Sequence, residues 1–129
     1  MWWNRGQSVW NTMRKQGKIS AAYMWPGSDI PLRAERTPNH FVGYNSSIPF
    51  KERVDQVLKW MDLPHSQRPD LIALYSEEPD STAHKTGPSS YNVSHTAKLM
   101  IFIKNVTLYY YYFFLIINFF LTVVFVKGY

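Results

Sequence analysis

The stretch Phe50–Tyr75, FKERVDQVLKWMDLPHSQRPDLIALY, decides the fold. Phe50, Val54, Val57, Leu58 and Met61 recur at helical spacing, with Lys51, Glu52, Asp55 and Lys59 on the opposite side. That pattern predicts an amphipathic helix with one face on a core. Leu63 and Pro64 end the helix and HSQRP makes a polar connection. Leu71–Tyr75 is then a continuous apolar run of strand length, as expected for a central strand of a parallel sheet covered on both faces.

Upstream, KISAAYMW contains Ile19, Tyr23 and small residues, consistent with a second buried strand that stops where Pro26 and Gly27 break the backbone pattern. Before it, Ser8 precedes Val9, Trp10 and Met13 at the spacing of one face of a short helix, and Gly17 is a natural stop. From WPGSD to about Ser47 the chain is rich in Pro, Gly, Asn and Ser and reads as a long surface loop. The order helix, strand, loop, helix, strand predicts a right-handed crossover and an α/β sheet. In open α/β sheets ligands collect beyond the carboxyl ends of strands. Both WPGSD and EEPDSTAH lie at such ends, so two loops are expected to converge on one rim.

With 129 residues the chain fits one ordinary domain. Its net charge of +5 is unevenly made, because every acidic residue lies at or before Asp80 while Lys85, Lys98, Lys104 and Lys127 continue alone. The basic positions before Asp80 are interleaved with acids, which argues against a nucleic-acid-binding module. Without cysteine there is neither a disulfide framework nor a thiolate metal site, so a transition metal would have to use His and carboxylates. MWWNRGQSVW lacks the basic-then-apolar order of a signal peptide, so no secretory signal is visible in this chain. Three glycosylation acceptors nevertheless occur, Asn45, Asn92 and Asn105, a triplet type that also arises by chance.

The character changes after residue 97, dividing the chain into residues 1–97 and a hydrophobic tail, 98–129. From Leu108 to Val126 the chain is apolar except for Asn118 and Thr122, with tyrosines at one end. That length suits a transmembrane helix over 108–126, flanked almost equally by Lys104 and Lys127. The alternative is a translated non-coding end, since Phe, Ile, Tyr, Asn, Lys and Leu are what AT-rich DNA encodes.

Asp80 and His84 are four residues apart, so a helix beginning near Ser81 would put both on one face, where a carboxylate oxygen and an imidazole nitrogen could reach one zinc ion. Two ligands are not a site. The bland alternative is that Asp80 caps the helix and His84 is solvated. Glu77 and Glu78 could orient a ligand histidine or simply be solvated. Trp25, Phe41 and Tyr44 could wall a flat ligand such as a base, or Trp25 could pack under its own loop. No spacing supports a Ser-His-Asp or Cys-His arrangement, and there is no glycine-rich phosphate loop.

MWPGSDIP, YNSSIPFKERVDQVLKWMDLP and LYSEEPDSTAHKTGP, in that order and at those separations, resemble the ectonucleotide pyrophosphatase/phosphodiesterase family. The resemblance runs from about Trp2 to about Val93. It implies part of an alkaline phosphatase-like catalytic domain, a parallel sheet with flanking helices, followed by the tail. It also implies a two-zinc hydrolase in which a threonine attacks phosphorus in a nucleotide or related phosphoester. Asp80 and His84 fall on paired ligands of one zinc, and Trp25, Pro26 and Asp29 on the loop lining the base pocket. Phe41 stands where nucleotide-cleaving members carry a stacking tyrosine, and Asn45 fits a recurrent glycosylation site. The chain departs from the pattern at Phe41 and at Ala83, where many members have glycine. The threonine belongs upstream of Met1 and the remaining ligands beyond the end of the match, so the chain alone is expected to be inactive. The parent is expected at the cell surface or outside the cell. The rival expectation is a non-catalytic, membrane-anchored product that pairs with a full-length relative.

Overall fold

A computed structural model describes residues 6–31, 36–108, 113–117 and 122–126. Along the chain these form α1 (Val9–Lys15), β1 (Ser20–Tyr23), β2 (His40–Val42), α2 (Phe50–Met61), β3 (Leu71–Leu74), α3 (Asp80–Thr86), α4 (Tyr91–Leu108), β4 (Phe113–Ile117) and β5 (Thr122–Val126). The sheet runs β2-β1-β3-β5-β4. β1 pairs in parallel with both β2 and β3, whereas β5 pairs antiparallel with β3 and with β4. The α/β reading therefore holds for an open parallel sheet of three strands flanked by helices, extended by an antiparallel pair.

The core lies between α2 and one face of the sheet. Val54, Val57, Trp60 and Met61 from the helix are buried with Ala21, Tyr23, Ile72 and Leu74 from β1 and β3. Phe50 and Leu58 are only partly buried against this cluster. β1 and β3 are buried at every position, as their unbroken apolar runs require of strands covered on both faces.

Two expectations are corrected. The stretch read as one long loop contains β2, whose three residues pair with Ala21, Ala22 and Tyr23 and so satisfy backbone groups at the edge of β1. The short helix expected after Ser8 is α1, and within it Asn11 is buried while Val9 is exposed, because the Asn11 amide hydrogen-bonds the Ser8 hydroxyl and the Arg36 backbone on both sides. That polar tie fixes the approach to β2.

The second correction concerns the tail. Phe113–Ile117 and Thr122–Val126, inside the stretch expected as one membrane helix, are strands. No helix among the described residues is long and apolar enough to cross a membrane. FFLII and TVVFV are rich in the aromatic and β-branched residues that suit strands, and β3 would otherwise present an open edge of unpaired backbone groups. Residues 1–5, which carry the two N-terminal tryptophans of the resemblance, and 109–112 and 118–121 of the apolar stretch lie outside the described residues.

Val124 stands opposite Ala73 in the ladder between β5 and β3. Val124→Pro removes a backbone donor from a strand paired on both sides. Faster hydrogen exchange at the β3 amides facing β5 is expected, with little change in α2. Unchanged exchange in β3 would show that this pairing does not protect the edge.

Candidate functional site

β1 and β3 are adjacent and parallel, so the loops leaving their carboxyl ends start side by side; the Tyr75 amide donates to the Tyr23 carbonyl at 3.0 Å. Met24, with a φ of 56°, turns the chain out of β1. The left-handed backbone is unfavourable for a residue with a side chain, but Met24 is buried and its amide donates to the Val42 carbonyl. That turn delivers Trp25, half-buried, and the exposed Pro26 to the rim. Gly27, at a φ of 78°, and the Ser28 amide bonding back to the Trp25 carbonyl close a tight loop.

Exposed Asp29 leans on the end of β2, where its Oδ2 lies 3.6 Å from the position a Cβ on Gly43 would take. Phe41 pairs with Ala22, which lies on the sheet face away from α2, and is 45% exposed. No ring contact joins Phe41 to Trp25 among the described residues. Tyr44, one residue beyond Gly43 and also exposed, meets Tyr75 edge-on with ring centroids 6.2 Å apart. Burial pushes the Tyr75 hydroxyl up from its ordinary pKa, helped by Tyr44, Glu77 and Asp80, so Tyr75 sits within the field of the acidic loop. Tyr75 ended an apolar run and carried no separate signal in the sequence.

Beyond Tyr75 the acidic residues divide by role. Arg53 on α2 grips Glu77 with a two-pronged ion pair, Nη1 to Oε2 at 2.7 Å and Nη2 to Oε1 at 2.8 Å. The guanidinium hydrogen bonds hold the Glu77 carboxyl below its ordinary pKa. Glu78 Oε2 accepts the Thr82 amide at 3.1 Å and so satisfies an otherwise orphaned donor in the first turn of α3. Neither glutamate is simply solvated, and neither touches His84.

Asp80 is the first residue of α3, which has no side-chain cap from Pro79, so Asp80 is not the cap. Its Oδ2 lies 3.4 Å from Nε2 of His84, one turn later. Both side chains are open to solvent, 52% and 80% exposed respectively. An oxygen donor and a nitrogen donor thus converge on one accessible face, a donor pair that suits zinc. Among the described residues, no group of three metal-binding side chains forms around them. A hollow of about 500 Å³ lined by Arg14, Arg36 and Asn39 lies at the other end of the strands, against the start of β2. The rim residues are elsewhere.

On the loop before α2, Asn45 is exposed and its Oδ1 accepts both the Ser47 amide at 3.0 Å and the Ser47 hydroxyl at 2.7 Å.

Known proteins resemble this chain over most of its length. Venom phosphodiesterase 2 of Crotalus adamanteus is 52% identical over 89 residues, which cover 69% of this chain and 11% of that protein. Ectonucleotide pyrophosphatase/phosphodiesterase family member 3 of Rattus norvegicus is 41% identical over 99 residues, covering 77% of this chain and 11% of that protein. Among solved structures, inactive murine ectonucleotide pyrophosphatase/phosphodiesterase 5 in complex with AMP superimposes with a TM-score of 0.61 at 30% identity. That match covers 78% of this chain and 28% of the murine one. The chain therefore spans about a tenth of the length of these curated relatives. Residues 1–100 match the family described as type I phosphodiesterase/nucleotide pyrophosphatase, and to that family of hydrolases the chain belongs.

Proposed function

We propose that this chain is a portion of a zinc-dependent phosphodiesterase or nucleotide pyrophosphatase with the alkaline phosphatase-like α/β fold, carrying one zinc-ligand pair and part of the substrate rim. The observation that carries the reading is the convergence of Asp80 Oδ2 and His84 Nε2, 3.4 Å apart, on an open helix face just past the carboxyl end of β3. Asp80 supplies a carboxylate oxygen and His84 the Nε2 lone pair of its neutral ring. A zinc ion held there would stabilise negative charge on phosphoryl oxygens, as part of a two-ion centre whose other ligands come from outside this chain.

The substrate class is a nucleotide or related phosphoester. Trp25, Pro26 and Asp29 form the loop assigned to the base, with Phe41 on the neighbouring strand. The Tyr44–Tyr75 pair adds an aromatic edge next to Asp80, and a flat base gains affinity by stacking on such a surface. AMP, bound by the murine relative, is the natural first probe. The threonine nucleophile is outside the sequence, so the chain by itself is expected to bind rather than turn over. Asn45 is the proposed glycan attachment point, its exposed turn already presenting the acceptor side chain against the Ser47 hydroxyl. A glycan there places the parent protein on the cell surface or outside the cell.

Zinc titrated into the full chain, followed by histidine-ring NMR, tests the ligand pair. The His84 ring resonances are expected to respond before those of His40, His65 and His95, and Asp80→Asn is expected to abolish that preference. Equal response of all four rings would sink the reading.

A further inference from the structure

We infer that Arg53 is a positioning residue for the Asp80–His84 pair, acting through Glu77. This rests on the proposed zinc reading and extends it to a residue on a different element, 27 positions before Asp80 in the sequence.

Arg53 stands on the same face of α2 as Val57 and Trp60, so its charge is carried into the interior, and its side chain is only 3% exposed. The guanidinium spends its donors on one short segment and on its own entry loop. Nε donates to the Ile48 carbonyl at 2.9 Å, while Nη1 and Nη2 take one Glu77 oxygen each. A planar fork facing a carboxylate fixes the distance and the rotation of the acid together, which a single point charge does not. The start of α2 and the segment after β3 are thereby clamped to each other.

That segment is what α3 hangs from. Glu77 contributes its backbone carbonyl to the Ser81 amide at 3.0 Å, and Glu78 contributes its side chain to the Thr82 amide. The Ser76 hydroxyl in turn accepts the Glu78 amide at 3.1 Å. Because Pro79 offers no side-chain cap, the Ser81 amide in the first turn of α3 is held by the Glu77 that Arg53 grips and the Thr82 amide by its neighbour Glu78, while the Ala83 amide returns to the Pro79 carbonyl. Asp80 sits in that first turn and His84 directly above it. Slackening the clamp therefore changes the direction in which both donors point while leaving the donors themselves in place. An ordinary buried ion pair would stabilise the fold without touching metal affinity, so the two roles separate experimentally.

The test titrates ZnCl2 into the full chain and its variants, with the His84 ring resonances giving the dissociation constant and thermal unfolding of the zinc-free protein giving stability. Arg53→Lys keeps the charge and loses the fork, and is expected to weaken zinc binding at His84 by about tenfold or more, the scale seen when residues behind metal ligands are altered. Glu77→Gln, which keeps the volume and loses the charge, is expected to act in the same direction. Val57→Ala, a fully buried change on the same helix, destabilises the fold and is expected to leave the affinity of the folded protein unchanged. Unaltered affinity in Arg53→Lys alongside a normal wild-type His84 response overturns the positioning role alone. So does a loss of affinity that follows the unfolded fraction point for point across the variants, Val57→Ala included. Absence of a His84 response in the wild type overturns both this role and the ligand pair on which it rests.

Discussion

Glu77→Ala is expected to destabilise the chain by about 3 kcal/mol, because it leaves the Arg53 guanidinium buried without its counter-ion. Removing one partner of a buried pair costs far more than the pair contributes relative to an apolar replacement, since the orphaned charge keeps its desolvation cost. Burial decides this, not distance. Lys51 and Asp55 also approach to 2.7 Å, but they stand 80% and 44% exposed, and Lys51→Ala is expected to leave stability essentially unchanged. Urea unfolding of the two variants makes the comparison. Equal midpoints would show that the Arg53 site is far more hydrated than its geometry indicates.

The same pair gives a direction in pH. The Arg53 hydrogen bonds depress the Glu77 pKa in the folded chain, against a smaller opposing effect of burial. A carboxylate held lower in the folded than in the unfolded state contributes stability that is complete above its unfolded value. That contribution is lost as pH falls below the usual carboxylate range and through the folded value. The acid limb of the stability curve should therefore flatten in Glu77→Gln, which has no proton to take up. A limb of unchanged steepness would assign acid sensitivity to other carboxylates.

The second large effect is expected at Trp60. Trp60→Ala should cost about 3–5 kcal/mol, the range for deleting a buried aromatic side chain. The indole is 7% exposed and spans two strands, with ring centroids 5.9 Å from Tyr23 and 6.0 Å from His40. Its loss would open a cavity between α2 and the sheet and also remove the ring contact to His40 on β2, a three-residue edge strand. Since domains are stable by roughly 5–15 kcal/mol, the variant should be partly unfolded under ordinary conditions. Trp60→Phe should recover most of the loss. A Trp60→Ala unfolding midpoint close to wild type would mean that the side chain packs loosely and that Val57 and Met61 carry the interface alone.

Much of the parallel part was legible because its signals are local. The spacing of Val54, Val57 and Met61, the unbroken run Leu71–Leu74 and the break at Pro26 and Gly27 each express a backbone period or a backbone restriction that a short window contains. What was missed depends on partners distant in sequence. Arg53 falls at helical spacing on the apolar side of α2, where a charge has no evident partner in the local sequence, and only the approach of Glu77, 24 residues on, makes its burial tolerable. Asn11 is buried for the same kind of reason, its amide being satisfied by the Arg36 backbone 25 residues away. β2 has three residues inside a stretch rich in turn formers, too short for a period to register, and exists because β1 has an edge to offer.

The tail shows the division most sharply. Apolar length alone permits a membrane helix, a buried helix or strands, and aromatic and β-branched content tilts the choice without making it. The register of Val123–Val126 against Leu71–Leu74 makes it. The sequence by itself determined the amphipathic helix, two buried strands and the placement of Asp80 and His84 one turn apart, because each follows from covalent spacing, and its motifs carried the resemblance to the family. Tertiary structure decided which charges could leave water, which edge the apolar tail would cover and which aromatic side chains would meet at the rim. Those outcomes depend on desolvation and on backbone pairing between distant segments, energies that arise only when the segments are brought together.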